Sequence, residues 1–223
     1  MISADYQGGR LLGIDQLIAQ HAAGGAIPVV LVVAVLLGLR HATDPDHLVA
    51  VSTLVAAERA GAARRAVRLG LAWGLGHATT LTAAGLPIVF YGVYLPHVVR
   101  GTAELLVGLV IVVLAARLLA HRDHHQARLR SPLQAFGVGL IHGLAGSAAV
   151  GVLLLAAIHD RTLAATALAV FAGATALSMT VLSSGFGFLL ARPRVTPRAV
   201  PALGLASLAF GAWYALAAIG GGV

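Results

Sequence analysis

Long apolar runs, separated by short arginine-rich segments, dominate the pattern of the sequence. A helix needs about 20 mainly apolar residues to cross a bilayer, and about 17–25 is the usual range. The pattern predicts an all-α polytopic membrane bundle of about six transmembrane helices, at residues 27–57, 67–91, 99–120, 132–158, 162–190 and 199–219. We expect a single transmembrane domain over residues 1–223, in which residues 1–25 form a short segment at the membrane interface.

The first apolar run is interrupted by polar residues between Arg40 and His47. It is too long for one ordinary span, and Pro45 has no N–H to donate within a helix. We therefore expect a first helix that is broken at Pro45. Irregular backbone at membrane depth is tolerated where it faces protein, so the polar centre should face the bundle and not lipid.

Arginines concentrate in alternate connecting segments. Segments 58–68, 117–130 and 191–198 hold four, four and three of them, whereas 92–98 and 159–161 hold at most one each. Cytoplasmic loops of membrane proteins carry an excess of basic residues. The asymmetry predicts that the three basic segments are cytoplasmic and that both termini are outside. We expect multi-pass insertion in a bacterial inner (plasma) membrane.

Composition narrows the possible chemistry. The chain is 59% hydrophobic and 10% charged, against about 25% charged in soluble domains. Its 15 basic residues lie between apolar runs, so the lipid bilayer is the expected partner and nucleic acid is not. Because the chain has no cysteine, disulfides and thiolate metal sites are excluded. A transition metal would be held by histidine nitrogen and carboxylate or carbonyl oxygen.

The string RHATDPDHL concentrates ionisable residues in the first run: Arg40, His41, Asp44, Asp46 and His47. A charge at the bilayer centre costs about 2.5–3.5 kcal/mol, so a divalent cation or an ion pair with Arg40 should compensate the carboxylates. On an ideal helix His41, Asp44 and His47 share one stripe and Asp46 points away. Pro45 should also leave the carbonyl of His41 without its helical partner, available to an ion. The alternative is a structural salt-bridge network in which the histidines only pack.

Three further groups of histidines follow. His77 in WGLGHATTLT and His142 in GVGLIHGLAGS lie in glycine-rich apolar runs, where small residues let helices approach closely. Each is either a metal ligand or a hydrogen-bonded core residue. The segment HRDHHQ, residues 121–126, is either a metal-capturing loop or a solvated loop with incidental histidines.

Four stretches together resemble the nickel/cobalt transporter family. RHATDPDHLVAVSTL, with its H-x4-D-H pattern, is similar to that family's signature, and LGHATTL to its second motif. GLIHGLAGSAAV resembles its urease-accessory (UreH-like) branch, and FAGATALSM (171–179) a Gly-Thr-x-x-x-Met motif of a later span. The resemblance implies transport of Ni²⁺ or Co²⁺, with His41, Asp46 and His47 as signature residues and His77 as their partner. Zn²⁺ is a further candidate.

The chain is shorter than the typical importers of that family, and its GLAGS segment is closer to the UreH-like branch, so the direction of transport stays open. The predicted function is secondary transport of a divalent transition metal, without enzymatic activity, by a monomer or a homo-oligomer. The predicted metal-site residues are His41, Asp46, His47, His77, Asp44 and His142.

Two other functions stay open on the sequence. One is a nickel-handling accessory membrane protein for a metalloenzyme. The other is a membrane-embedded metal-dependent hydrolase, which would need an open coordination position and a general base. The chain has no H-E-x-x-H motif, and its glutamates, Glu58 and Glu104, lie near the ends of spans.

Overall fold

The computed structural model describes residues 27–56, 63–93, 96–120, 131–143, 155–190 and 196–220, together with Val152 and Arg192. Over these residues the structure is helical and contains no strand. The helices are α1 (Ile27–His41), α2 (Pro45–Ala56), α3 (Ala63–Tyr91), α4 (His97–Ala120), α5 (Pro132–His142), α6 (Arg161–Leu190) and α7 (Thr196–Ile219). The predicted all-α membrane bundle is confirmed at this level.

The break predicted in the first run is present. α1 ends at His41, α2 begins at Pro45, and the two helix axes are bent by 56°. Proline is well suited to the first position of a helix, where its missing N–H has no intrahelical acceptor. The expectation that the His41 carbonyl stays free is wrong, because it accepts the backbone N–H of Asp44 at 3.1 Å. Pro45 has no N–H to donate to this carbonyl, and the tight turn through residues 42–44 supplies a donor in its place.

The number of spans is only partly established. α4, α6 and residues Ala199–Ile219 of α7 are each long and apolar enough to cross a membrane, and the bent pair α1–α2 would make a fourth span. α3 is 29 residues long but less apolar, since it carries His77 and several threonines and glycines. The predicted six spans therefore stay a prediction, and the chain is a multi-pass membrane protein that is helical over its described residues.

Local sequence signals explain two of the helix starts. Ser131 precedes α5, and its side chain accepts the backbone N–H of Gln134 at 3.4 Å. Asp160 precedes α6, and its carboxylate accepts the N–H groups of Thr162 and Leu163 at 2.8 and 3.0 Å. These caps satisfy backbone donors that have no partner inside a helix.

The helices form two groups with α2 between them. α3 packs along α5 and α6, and α4 packs along α7, while α2 contacts α4, α6 and α7. One apolar cluster surrounds α2 and includes Val51, Trp73, Ile111, Met179 and Tyr214. A second cluster joins α1, α3 and α6. The short helix that follows the break is therefore in contact with both groups.

The helix ends that flank the arginine-rich segments lie together. Leu118 at the end of α4, Leu190 at the end of α6 and Val200 at the start of α7 form one small cluster. Gly187, also near the end of α6, lies against Ala66 at the start of α3. The described helix ends that flank the three basic segments therefore lie at the same end of the bundle, as the predicted alternation requires. Which side of the membrane that end faces stays a prediction.

Candidate metal site

The bend between α1 and α2 places two histidines side by side. His41 is the last residue of α1, and His47 is the third residue of α2. Their ring centroids are 4.7 Å apart, and the side chains are 4% and 1% exposed respectively. A straight helix would separate these positions by almost two turns, so the bend itself creates the pair.

His77, in the middle of α3, completes a group of three imidazoles. Its ring centroid lies 5.1 Å from that of His41 and 5.0 Å from that of His47, and its side chain is fully buried. One nitrogen from each of the three rings lies within 4.8 Å of the others. Imidazole nitrogen binds transition metals at about 2.0–2.1 Å, so two ligands of one ion lie at most about 4.2 Å apart. Three nitrogens around one ion lie at most about 3.6 Å from one another, so these three would have to approach each other by up to about 1.2 Å to hold a cation.

Two of the rings are each held in orientation by a carboxylate of their own. Nδ1 of His41 donates to Asp44 at 3.1 Å, and Nδ1 of His47 donates to Asp46 at 3.1 Å. Because a carboxylate only accepts, Nδ1 carries the hydrogen and the lone pair of each neutral ring is on Nε2. Histidines that bind metals usually hold their second nitrogen in this way.

The two carboxylates differ in their second oxygen. Oδ1 of Asp44 lies 3.6 Å from the guanidinium of Arg40, whose side chain is 74% exposed. Asp46 is buried, and its Oδ2 has no hydrogen-bond partner among the described residues. The ideal-helix expectation that Asp46 points away does not hold after the bend. Its role as a metal ligand stays a prediction.

The ring nitrogens show which atoms are open to a ligand. Nε2 of His41 and Nε2 of His77 are 3.1 Å apart, so with the lone pair on His41 the hydrogen lies on His77. Nε2 of His47 and Nδ1 of His77 are buried and have no hydrogen-bond partner in the described part of the chain. Buried polar atoms are rarely left unpaired. A cation in the group would occupy the lone pair of Nε2 of His47, and Nδ1 of His77 is open to a hydrogen displaced from Nε2 of the same ring.

His142, the last residue of α5, lies beside this group. Its ring is fully buried, with the centroid 5.5 Å from that of His47. It falls outside the three residues whose nitrogens share the 4.8 Å limit. The structure thus brings His142 to the edge of the site, next to the ring of Trp73 at 5.6 Å.

Glycines in α3 and α5 bring His77 and His142 to the same depth. A Cβ on Gly139 would overlap the carbonyl oxygen of Trp73, and a Cβ on Gly76 would overlap that of Phe136. Two helix backbones can approach this closely only where no side chain intervenes. The glycines near both histidines therefore allow the backbones of α3 and α5 to cross in close contact.

Two aromatic residues were not among the predicted site residues. Trp73 lies 5.8 Å from His47 between ring centroids, and Phe171 lies 5.7 Å from His41. Trp73 lies one helical turn before His77, so its position on the same face of α3 could have been predicted from the spacing in the sequence. Phe171 begins the FAGATALSM stretch, whose Thr175 and Met179 are buried. The HRDHHQ segment and residues 1–25 lie outside the described residues.

The comparisons with known proteins agree with the resemblance stated above. The chain is 27% identical over 206 residues to the urease accessory protein UreH of Bacillus sp. (strain TB-90), which covers 83% of this chain and 90% of that protein. The resemblance to the UreH-like branch is confirmed. No protein-family model matches the chain, and no solved structure matches it. The similarity runs through almost the whole relative, so it is not confined to the histidine motif.

Proposed function

We propose that the chain transports a divalent transition metal ion, Ni²⁺ first and Co²⁺ second, across the membrane. The observation that supports this most is the meeting of His41, His47 and His77 from three different helices at a buried bend. Many transporters bind their ion at a broken helix in the middle of the bundle. The resemblance to nickel/cobalt transporters and to a urease accessory protein favours nickel as the substrate.

The donor atoms suit this class of ion. Three imidazoles with nearby carboxylates match borderline metals such as nickel and cobalt, whereas thiolate sites are absent because the chain has no cysteine. The anionic partners Asp44 and Asp46 also offset the charge of a bound cation. They make each imidazole that they contact a stronger donor.

The same nitrogen takes part in the ion-free and the ion-bound arrangement. Without an ion, Nε2 of His77 donates to Nε2 of His41. When both atoms bind a cation, that hydrogen must leave His77 or move to Nδ1, which has no described partner. Protons therefore compete with the metal at this site. Release of the ion is favoured when the hydrogen bond between the two rings forms again.

The test is flux of Ni²⁺ into proteoliposomes that contain the purified full-length protein. We expect uptake that saturates with Ni²⁺, that Co²⁺ inhibits, and that Mg²⁺ leaves unchanged because it prefers oxygen ligands. The variant His77→Ala should bind and transport far less, whereas His159→Ala, which alters an exposed histidine, should behave as the wild type. Absence of flux in the folded wild type under any metal gradient contradicts transport.

A second function is favoured by the relative's description as an accessory protein. In that case the same histidine group holds nickel for delivery to a metalloenzyme without moving it across the bilayer. Calorimetry on the detergent-solubilised protein separates the two functions. Tight Ni²⁺ binding that depends on His77, together with no flux in proteoliposomes, would assign the accessory role.

A further inference from the structure

Glu104 is a buried carboxylate in α4 that the histidine group does not use. Its side chain is 3% exposed although it lies within a helix long and apolar enough to cross the membrane. Its Oε1 is 3.3 Å from Nε of Arg100, one turn earlier, but no described donor is aligned to hydrogen-bond that oxygen. An ionisable residue inside a spanning helix is costly and usually serves a function.

The titratable neighbours of Glu104 lie on α4 and α7. On α4 itself the neighbour is Arg100, whose side chain is 41% exposed. From α7, Tyr214 lies within electrostatic range of Glu104, of Asp46 on α2 and of Asp44 in the turn before α2. α5 also packs against α4, but its described titratable residue, His142, lies against His47. Tyr214 is therefore within electrostatic range both of Glu104 and of the carboxylates that hold the histidines.

The surroundings of Glu104 suit a proton better than a metal. The guanidinium of Arg100 is close to the carboxylate and would repel a divalent cation, and no imidazole of the described residues contacts it. A proton binds to one carboxylate oxygen and needs no coordination shell. Binding removes the negative charge and with it most of the attraction to Arg100. The two protonation states of Glu104 therefore differ in the strength of its attraction to Arg100, which lies one turn earlier in the same helix.

We propose that Glu104 is the proton-binding group through which a pH gradient drives movement of the metal. The proposal rests on the transport function proposed above. A proton from water at the end where α4 begins binds one carboxylate oxygen of Glu104 and later leaves the same oxygen for water, and no other covalent bond changes. Coupling to the metal runs through α2, which contacts α4 and carries Asp46 and His47.

The experiment measures Ni²⁺ flux in proteoliposomes with and without an imposed pH gradient. In the wild type we expect the gradient to stimulate flux severalfold. In Glu104→Gln the stimulation should vanish, while flux down a Ni²⁺ gradient alone and Ni²⁺ affinity by calorimetry stay as in the wild type. Glu58→Gln, at the chain's other glutamate, is the matched control and should keep the stimulation.

A second variant keeps the proposal testable if Glu104→Gln does not fold. Arg100→Gln leaves the carboxylate but removes the nearby positive charge, so protonation becomes easier and the pH of half-maximal flux should move upward. Stimulation that survives in folded Glu104→Gln, or an unmoved pH midpoint in Arg100→Gln, overturns the proposal. Flux in the wild type that ignores the pH gradient overturns it too and leaves metal transport intact. Complete absence of wild-type flux instead contradicts the transport function itself.

Discussion

Nε2 of His41 lies 3.1 Å from Nε2 of His77, although 36 positions separate the two residues in the chain. One is the last residue of α1 and the other lies in the middle of α3. Two neutral imidazoles can share a single hydrogen at this distance. A cation between them would replace that hydrogen and would also be bound by His47. The hydrogen bond between the two rings and the binding of a cation by both rings therefore cannot exist at the same time.

The first prediction concerns the three imidazoles. Replacing His41, His47 or His77 by Ala should weaken Ni²⁺ binding by more than about 100-fold, the upper end of what loss of an outer partner costs. Each change removes one nitrogen of the group. Calorimetry on the purified protein measures the affinity, and the exposed His159→Ala is the control. If two of the three variants bind as the wild type does, the ion is held elsewhere.

The second prediction concerns the crossing of α3 and α5. Gly139→Ala places a methyl group on the carbonyl of Trp73 and close to the backbone N of His77. Overpacking of this kind costs about 1–3 kcal/mol, and here the displaced backbone also carries a site histidine. We expect a lower unfolding temperature and weaker Ni²⁺ binding in the same variant.

Gly137→Ala on the same helix is the matched control. A Cβ at Gly137 meets nothing within 4 Å, and alanine favours a helix over glycine by about 0.5–1 kcal/mol. Its unfolding temperature should equal or exceed that of the wild type. Equal effects of the two substitutions would mean that helix propensity, and not the close crossing, governs this helix.

Sequence patterns predicted the helices better than they predicted the contacts of the site. The apolar runs correspond to α3, α4, α6 and α7 within a few residues, because hydropathy is a local property of the chain. The partners of the imidazoles depend on the 56° bend, which changes every angle that an ideal helix would assign to Asp44 and Asp46. The contacts of Trp73 and Phe171 with the histidines arise from helix packing, which one sequence does not specify.

The third prediction concerns orientation. Gln126→Cys in the second basic segment should react with impermeant maleimide only from the cytoplasmic side, and Val98→Cys only from outside. Val98 is 79% exposed and lies at the start of α4, at the end of the bundle opposite to the helix ends that flank the basic segments. The wild type has no cysteine, so each label reports one position. Labelling of position 126 from outside would reverse the predicted topology.

The last prediction concerns which carboxylate matters more to the metal. Asp44 holds His41 but shares its charge with the exposed Arg40. Asp46 holds His47, is buried, and has an oxygen without a described partner, so it is placed either to bind the cation directly or to balance its charge. Asp46→Asn should therefore weaken Ni²⁺ binding more than Asp44→Asn. Loss of an outer-shell partner typically costs about 10–100-fold, and that range is our expectation for Asp44→Asn.

The asparagine substitutions keep the shape of each side chain, so calorimetry on folded protein compares charge and hydrogen bonding alone. A loss larger than about 100-fold in Asp46→Asn supports direct coordination, because an amide oxygen is a weaker ligand than a carboxylate. A loss equal to that of Asp44→Asn means that both residues only orient an imidazole. Asp44→Asn could instead abolish binding while Asp46→Asn binds as the wild type does. That result would mean that His41, Asp44 and His47 lie on one face of an unbroken helix in the ion-bound protein, so that the bend at Pro45 straightens when the metal binds.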